Sequence, residues 1–183
     1  MATSKRCTAA LAGALLIGSI PSAWADHQSN RFAIRLMSYQ EVPSVSSVAV
    51  GTFRGTINAD GTITYELNYD RLVGDVRQAH IHFGQRGVNG GISVFLCQTT
   101  TNPDPTGLAP VCPASPGRAT ATLREANIVG PGGQGIAAGE LAELVSAIRA
   151  GVAYVNVHSS TFPGGEIRGQ FRGALDPALI GDF

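Results

Sequence analysis

The sequence predicts an all-β fold, an antiparallel β-sandwich of the Greek-key or immunoglobulin-like kind with one short α-helix. Three observations point to it. Many short segments alternate apolar and polar residues, which is the two-residue period of a half-buried strand. Turn residues separate these segments, above all the 23 glycines of the 183-residue chain. A single stretch, residues 140–149, places its apolar residues at helical spacing.

Strands joined by tight turns are expected in the first half of the chain. Phe32, Ile34 and Leu36 alternate with Arg31, Ala33 and Arg35. Residues 52–57 and 62–69 alternate on either side of Asn58-Ala59-Asp60-Gly61, which predicts a hairpin. The elements expected next are a connection, a strand, a turn and a buried strand, at residues 72–79, 80–84, 85–91 and 92–97.

The second half combines further strands with the predicted helix. The helix over 140–149 has acidic residues early and Arg149 late, as the helix dipole favours. Residues 128–139 are rich in glycine and are interpreted as a loop. Strands are expected at 118–123, 154–158 and 166–171, and a tail at 176–183. No linker divides the chain, so residues 26–175 are expected to form one domain.

Residues 1–25 have the pattern of a secretory signal peptide. Lys5 and Arg6 precede an apolar run at 9–20, and Ala23-Trp24-Ala25 is a small-x-small cleavage site. We therefore expect a secreted or periplasmic protein without a membrane anchor, since the apolar run is too short to span a bilayer. Beyond this segment the chain has 11 arginines against 13 acidic residues, which offers no basic patch for nucleic acid.

Two cysteines, Cys97 and Cys112, lie beyond the expected cleavage site. An exported protein meets an oxidising environment, so a disulfide is the favoured interpretation. Closing a loop of this length contributes about 3 kcal/mol. The alternative is a soft metal site built from both thiolates, but the short spacing of zinc-binding cysteine pairs is absent.

Three histidines are the strongest indication of chemistry. His80 and His82 share one face of a strand, and in the later strand Val155 and Val157 supply the buried side, so that His158 takes the opposite face. If the strands are neighbours, three imidazoles converge away from the core. Neutral imidazoles bind copper and zinc well, which makes one copper ion the hypothesis. The alternative is that these histidines form structural hydrogen bonds.

Three charged residues are expected to support this group. Glu166 and Arg168 lie on one strand face and are expected to form a structural ion pair or to orient an anion over a metal. Glu41 precedes Pro43 in an extended segment and is expected to brace a loop or the second shell of the site. No carboxylate dyad or nucleophile elbow assigns a catalytic residue, and enzymatic activity stays open.

Three motifs carry a family resemblance. They are Gln40-Glu41-Val42-Pro43, Ala79-His80-Ile81-His82-Phe83-Gly84, and residues 151–159 followed by Pro163-Gly164-Gly165-Glu166-Ile167-Arg168-Gly169-Gln170. In this order they resemble the opening, central and closing signatures of the CHRD (chordin) domain, from about residue 32 to residue 171. The resemblance implies a single-domain exported member of bacterial type with an extracytoplasmic β-sandwich. The name-giving members bind secreted growth factors.

The order of motifs is also similar to the copper side of copper-zinc superoxide dismutase. That layout has a His-x-His strand, a later Val-His strand, a glycine-rich loop and an arginine before the final strand. With three core histidines, neither the bridging imidazole nor the zinc loop can be built, so efficient dismutase activity is not expected. Two hypotheses follow: a copper module for storage, delivery or redox chemistry, or a module that binds an extracellular protein or matrix partner without metal.

Overall fold

The structure, a computed structural model, describes residues 30–173. The predicted signal peptide, its cleavage before Asp26, His27 and the tail at 176–183 lie outside these residues. The described part contains strands and one α-helix in the order β1 (Arg31–Met37), β2 (Val50–Ile57), β3 (Ile63–Asp70), β4 (Val76–Phe83), β5 (Gly91–Cys97), β6 (Gly117–Leu123), α1 (Leu141–Arg149), β7 (Ala153–Ser159) and β8 (Ile167–Gln170).

The strands form one hydrogen-bonded sheet in the order β5-β4-β7-β8-β1-β2-β3-β6. Every neighbouring pair is antiparallel. The sheet curls so that β3 approaches the edge strand β5, where the Tyr65 hydroxyl donates a hydrogen bond to the Leu96 carbonyl. The predicted all-β antiparallel fold with one helix is confirmed. Its division into the two layers of a Greek-key or immunoglobulin-like sandwich stays a prediction.

Strand bounds follow the sequence pattern closely, with one exception. The β2–β3 hairpin is confirmed, with Asn58 N–H donating to the Thr62 carbonyl at 2.8 Å across its turn. Strand β4, however, begins at Val76 and not at His80. The predicted connection at 72–79 was wrong over its second half, because Gln78 and Ala79 pair with β7.

The core lies on the apolar face of the sheet and is covered by α1. Leu144 and Ile148 of this helix are buried, as its periodicity predicts. Phe53 packs edge-to-face on Phe171 with ring centroids 5.8 Å apart, and Ile81 and Val155 are fully buried in the same cluster. These contacts leave the opposite face of β4 and β7 to be covered by loops.

The predicted disulfide is confirmed. Cys97 ends β5 and is bonded to Cys112, with the two Cα atoms 4.9 Å apart. The bridge closes the loop over 98–111 beside the edge strand. Over residues 30–173, no helix combines the length and apolar character needed to cross a membrane.

Candidate metal centre

Strands β4 and β7 place the three histidines next to one another. Across this antiparallel pair, His80 lies opposite Asn156, His82 opposite Tyr154, and Gln78 opposite His158. The intervening pair, Ile81 and Val155, points into the apolar core. The alternation read from the sequence therefore brings the three imidazoles to one face, as expected.

This face is buried, which the sequence interpretation did not expect. His80 is 0% exposed, His82 8% and His158 6%. The imidazoles point away from the apolar core, as expected, but they do not lie at the surface, because two loops cover them. The loop over 84–90 follows β4, and the loop over 160–166 follows β7.

Each covering loop accepts a hydrogen bond from a histidine. His82 Nδ1 lies 2.9 Å from the Gly90 carbonyl oxygen, and His158 Nδ1 lies 2.9 Å from the Pro163 carbonyl oxygen. Glycine at position 90 allows the first loop to pass close to the end of β4, since a Cβ there would lie 1.7 Å from the Phe83 carbonyl oxygen. The loops and the histidines thus fix each other's positions.

These two bonds decide the tautomers. A carbonyl oxygen only accepts, so Nδ1 of both His82 and His158 carries the proton and Nε2 of each carries a lone pair. Histidines that bind metals commonly donate their other N–H to a carbonyl in this way. His82 Nε2 is buried and has no hydrogen-bond partner within residues 30–173, and the same holds for His80 Nε2.

The spacing of the ring nitrogens suits one metal ion. One ligand atom from each of His80, His82 and His158 lies within 4.8 Å of the other two. His80 Nδ1 is 3.1 Å from His158 Nε2. Two nitrogens bound to one ion at about 2.0 Å in tetrahedral geometry lie about 3.3 Å apart. The three side chains can therefore hold a metal ion.

Asn156 adds an oxygen to this cluster. Its Oδ1 lies 3.1 Å from His158 Nε2. Both atoms are acceptors in the tautomer fixed by Pro163, so this contact requires either a reversed amide or a cation between them. Asn156 is thus a fourth polar group at the centre, and it is uncharged.

Burial keeps the imidazoles neutral. Desolvation lowers the pKa of His80 to about 2, and repulsion from His158 and His82 when they are protonated acts in the same direction. Desolvation also lowers the pKa of His82 to about 4, and lowers that of His158. Since metals bind the neutral imidazole, the three ligands are held in their binding form above these values.

A stack of three planar groups lies beside the histidines. The His82 and Tyr154 rings are parallel with centroids 4.7 Å apart, and Arg168 Cζ lies 3.3 Å from the centroid of the Tyr154 ring. Arg168 is 2% exposed and donates to the Val88 carbonyl at 2.8 Å and to Asn89 Oδ1 at 3.2 Å. Its guanidinium therefore anchors the loop over 84–90 above the centre.

The predicted ion pair between Glu166 and Arg168 was wrong. Glu166 is fully buried, and its Oε1 accepts hydrogen bonds from the Ser47 hydroxyl at 2.6 Å and from Val73 N–H at 2.8 Å. Both partners lie far from Glu166 in the sequence. The carboxylate therefore links three segments of the chain and does not pair with Arg168.

Glu41 lies close to the centre but does not touch the imidazoles through a hydrogen bond. Its Oε1 is buried without a partner in the described chain, next to Gly165. A Cβ at position 165 would lie 2.5 Å from that oxygen, and the φ of +128° also requires glycine there. Burial raises the pKa of Glu41 to about 7, against the opposing effect of Arg168.

Comparison with known proteins identifies the family at this point. The family model described as the CHRD domain matches residues 32–171, which include all of the described strands but the first residue of β1. The chain belongs to the CHRD family. Searches of the curated proteins and of the solved structures found no match. The central and closing motifs supply His80, His82 and His158 of the buried polar face, and the opening motif supplies Glu41, which lies against Gly165.

Tyr154 and Asn156 were not among the predicted site residues of this CHRD domain. Both share the alternation phase of His158 in β7, so the period of the strand was a usable signal. The position of Arg168 over Tyr154 had no such signal, because it depends on the pairing of β7 with β8.

Proposed function

We propose that this protein is an exported CHRD module that binds one copper ion through His80, His82 and His158. The observation that carries the proposal is the cluster of three imidazoles, in which one ligand atom of each lies within 4.8 Å of the other two and His82 Nε2 is buried without a partner in residues 30–173. A buried polar atom left without a partner in residues 30–173 costs free energy, and a bound cation compensates that cost.

The donor set favours a first-row transition metal. All three side chains offer neutral imidazole nitrogen, which suits copper and zinc, whereas calcium and magnesium require carboxylate and carbonyl oxygens. Among divalent first-row ions, copper binds most tightly to a given set of such ligands. Storage, delivery or one-electron chemistry of copper are the roles that such a centre serves.

Export is supported by two features of different kinds. The sequence at 1–25 has the pattern of a signal peptide, and Cys97 and Cys112 form the disulfide that an oxidising compartment sustains. We therefore place the protein in the periplasm or outside the cell. Mass spectrometry of the protein recovered from the cell envelope tests both points. Cleavage gives a chain that begins at Asp26, and the disulfide makes the mass lower by two hydrogens than that of the reduced protein.

Metal analysis and titration test the copper proposal. Protein purified without a histidine tag is expected to bind one equivalent of copper, and His80→Ala, His82→Ala and His158→Ala are each expected to abolish that stoichiometric binding. The matched control is His27→Ala, which removes the remaining histidine of the expected mature chain and none of the three proposed ligands. Equal affinity in His82→Ala, His158→Ala and the wild type would overturn the proposal.

The second candidate function is an interaction module for an extracellular protein or matrix polymer, with no metal. It is favoured by the hydrogen bonds that tie His158 to Pro163 and His82 to Gly90, which a purely structural role explains. Absence of any bound copper or zinc in the titration would favour this candidate. Binding of zinc in preference to copper would show that the three histidines form a metal site whose ion is zinc and not copper.

A further inference from the structure

We infer that the centre holds its copper as Cu(I), the monovalent ion. This inference rests on the proposed function and adds the oxidation state, which follows from the charges around the three histidines. The ion enters and stays as Cu(I), so no electron transfer within the protein forms part of the proposal.

The ligands supply no negative charge. The hydrogen-bond partners that the three imidazoles have in the described chain are one another, the Asn156 amide and the carbonyl oxygens of Gly90 and Pro163, all of them uncharged. The free energy of moving an ion from water into a buried site rises with the square of its charge. A divalent ion without a carboxylate ligand therefore meets a far larger desolvation penalty than a monovalent one.

The two acidic residues expected to support the centre, Glu41 and Glu166, do not change this balance. Glu166 Oε1 accepts hydrogen bonds from Ser47 and Val73, and its Oε2 is buried without a partner in the described chain. Glu41 Oε1 lies against Gly165 and is buried without a partner in the described chain. Neither forms a hydrogen bond to an imidazole, so a second positive charge on the ion would have no anionic ligand to balance it.

One arginine adds positive potential near the centre. Arg168 Cζ lies 3.3 Å from the centroid of the Tyr154 ring, and that ring is stacked on the His82 ring with centroids 4.7 Å apart. The Arg168 guanidinium therefore lies roughly 8 Å from the His82 ring, where one unit of charge changes an affinity on the order of tenfold at an effective dielectric constant near 20. This charge repels Cu(II) more than Cu(I).

Coordination number points the same way. Cu(I) forms stable complexes with two or three ligands. Cu(II) favours square-planar or tetragonal sites, and zinc takes four ligands in a tetrahedron. The three histidines are almost wholly closed off from solvent, so water has little access to complete the larger set. Three imidazoles alone satisfy the monovalent ion.

The test compares the affinities of the exported protein, without its signal peptide, for the two oxidation states of copper. Cu(I) is titrated under anaerobic conditions with ascorbate, in competition with bicinchoninate. Cu(II) is titrated separately without any reductant, in competition with glycine. Tighter binding of Cu(I) than of Cu(II) is expected. Equal or tighter binding of Cu(II) would overturn the inference while the copper proposal stands. Binding of neither ion, or binding that survives removal of His82 and His158, would overturn both.

Two arginine variants separate charge from structure. Arg168→Met removes the charge and is expected to lower the ratio of Cu(I) to Cu(II) affinity on the order of tenfold. Arg168→Lys keeps the charge, loses the forked bonds to Val88 and Asn89, and is expected to retain the ratio. The same ratio in Arg168→Met as in Arg168→Lys would contradict the electrostatic argument.

Asn156→Asp keeps the inference testable if the arginine variants do not fold. This isosteric change places a carboxylate about where the Asn156 amide now lies, 3.1 Å from His158 Nε2. An anionic oxygen ligand stabilises the divalent ion more than the monovalent one, so the preference is expected to move toward Cu(II) by at least tenfold. An unchanged preference in this variant would show that the charge of the ligand set does not select the ion.

Discussion

The two faces of the β4–β7 strand pair are both buried and chemically opposite. On one face Ala79, Ile81, Val155 and Val157 pack into the apolar core. On the other, the three histidines, Tyr154 and Asn156 lie beneath two loops and retain ring nitrogens without partners in the described chain. The apolar face stabilises the fold through burial alone. The polar face carries a free-energy cost that a ligand relieves, and this is the face on which a function is expected.

The largest expected effect lies on the apolar face. Ile81→Ala is expected to lower the free energy of unfolding by about 2–5 kcal/mol, because Ile81 is fully buried and the truncation leaves a cavity. Urea denaturation measures it, and Thr52→Ala on the exposed side of β2 is the control, expected to change stability by less than about 0.5 kcal/mol. A loss below about 1 kcal/mol in Ile81→Ala would show that this face contributes less than its burial indicates.

Acid is expected to act on the polar face. Folding lowers the His82 pKa from 6.5 to about 4, so below pH 6.5 the unfolded chain binds more protons and stability falls as the pH falls. His82 alone accounts for about 3 kcal/mol by pH 4, and His80 and His158 act in the same direction. Urea midpoints of the metal-free protein from pH 8 to pH 4 measure the loss.

Glu41 opposes this trend and provides the matched variant. Its pKa rises from 4.5 to about 7 on folding, so it destabilises the protein as the pH rises between these values. Glu41→Gln is therefore expected to steepen the fall of stability between pH 7 and pH 4.5. A flat profile over this range in both proteins would contradict the assignment of neutral buried histidines.

Copper is expected to stabilise the protein through the polar face alone. At a free copper concentration 100 times the Kd, the gain is about 2.7 kcal/mol. Ile81→Ala is expected to show the same gain as the wild type, since its side chain lies on the other face, whereas His82→Ala shows none. Thermal denaturation with and without copper measures these gains, and a gain that persists in His82→Ala would break the distinction between the two faces.

The smallest expected effect separates two buried tyrosines. Tyr154→Phe removes the oxygen that accepts the Gly90 N–H at 3.2 Å, and is expected to cost about 1 kcal/mol. Because Gly90 also orients His82, this variant is expected to weaken copper binding by about tenfold. Tyr65→Phe removes the bond to the Leu96 carbonyl, on the apolar side, and is expected to leave copper affinity unchanged. Equal copper affinities in both variants would show that the loop does not position the ligand.

Local pattern was enough to predict most of the fold and the membership of the histidine cluster. Alternation gave the strands, and the phases of Ile81 and Val155 placed His80, His82 and His158 on one face. Burial of that face could not be predicted, since it depends on loops whose positions are set by single contacts such as Asn89 to the Val42 carbonyl. The partners of Glu166, Ser47 and Val73, lie 119 and 93 residues away, a separation that no local pattern encodes.

Long separations in sequence also determine at which stage of folding the histidine centre is assembled. The Nδ1 atom of His80 and the Nε2 atom of His158 are 3.1 Å apart in space but their residues are 78 apart in sequence, and the carbonyl that orients His158 belongs to a later loop. Contacts of such long range form late in folding, because the chain must close before they are made. If the protein is exported unfolded and binds copper as proposed, it therefore carries no assembled site across the membrane and acquires its ion in the compartment in which it folds.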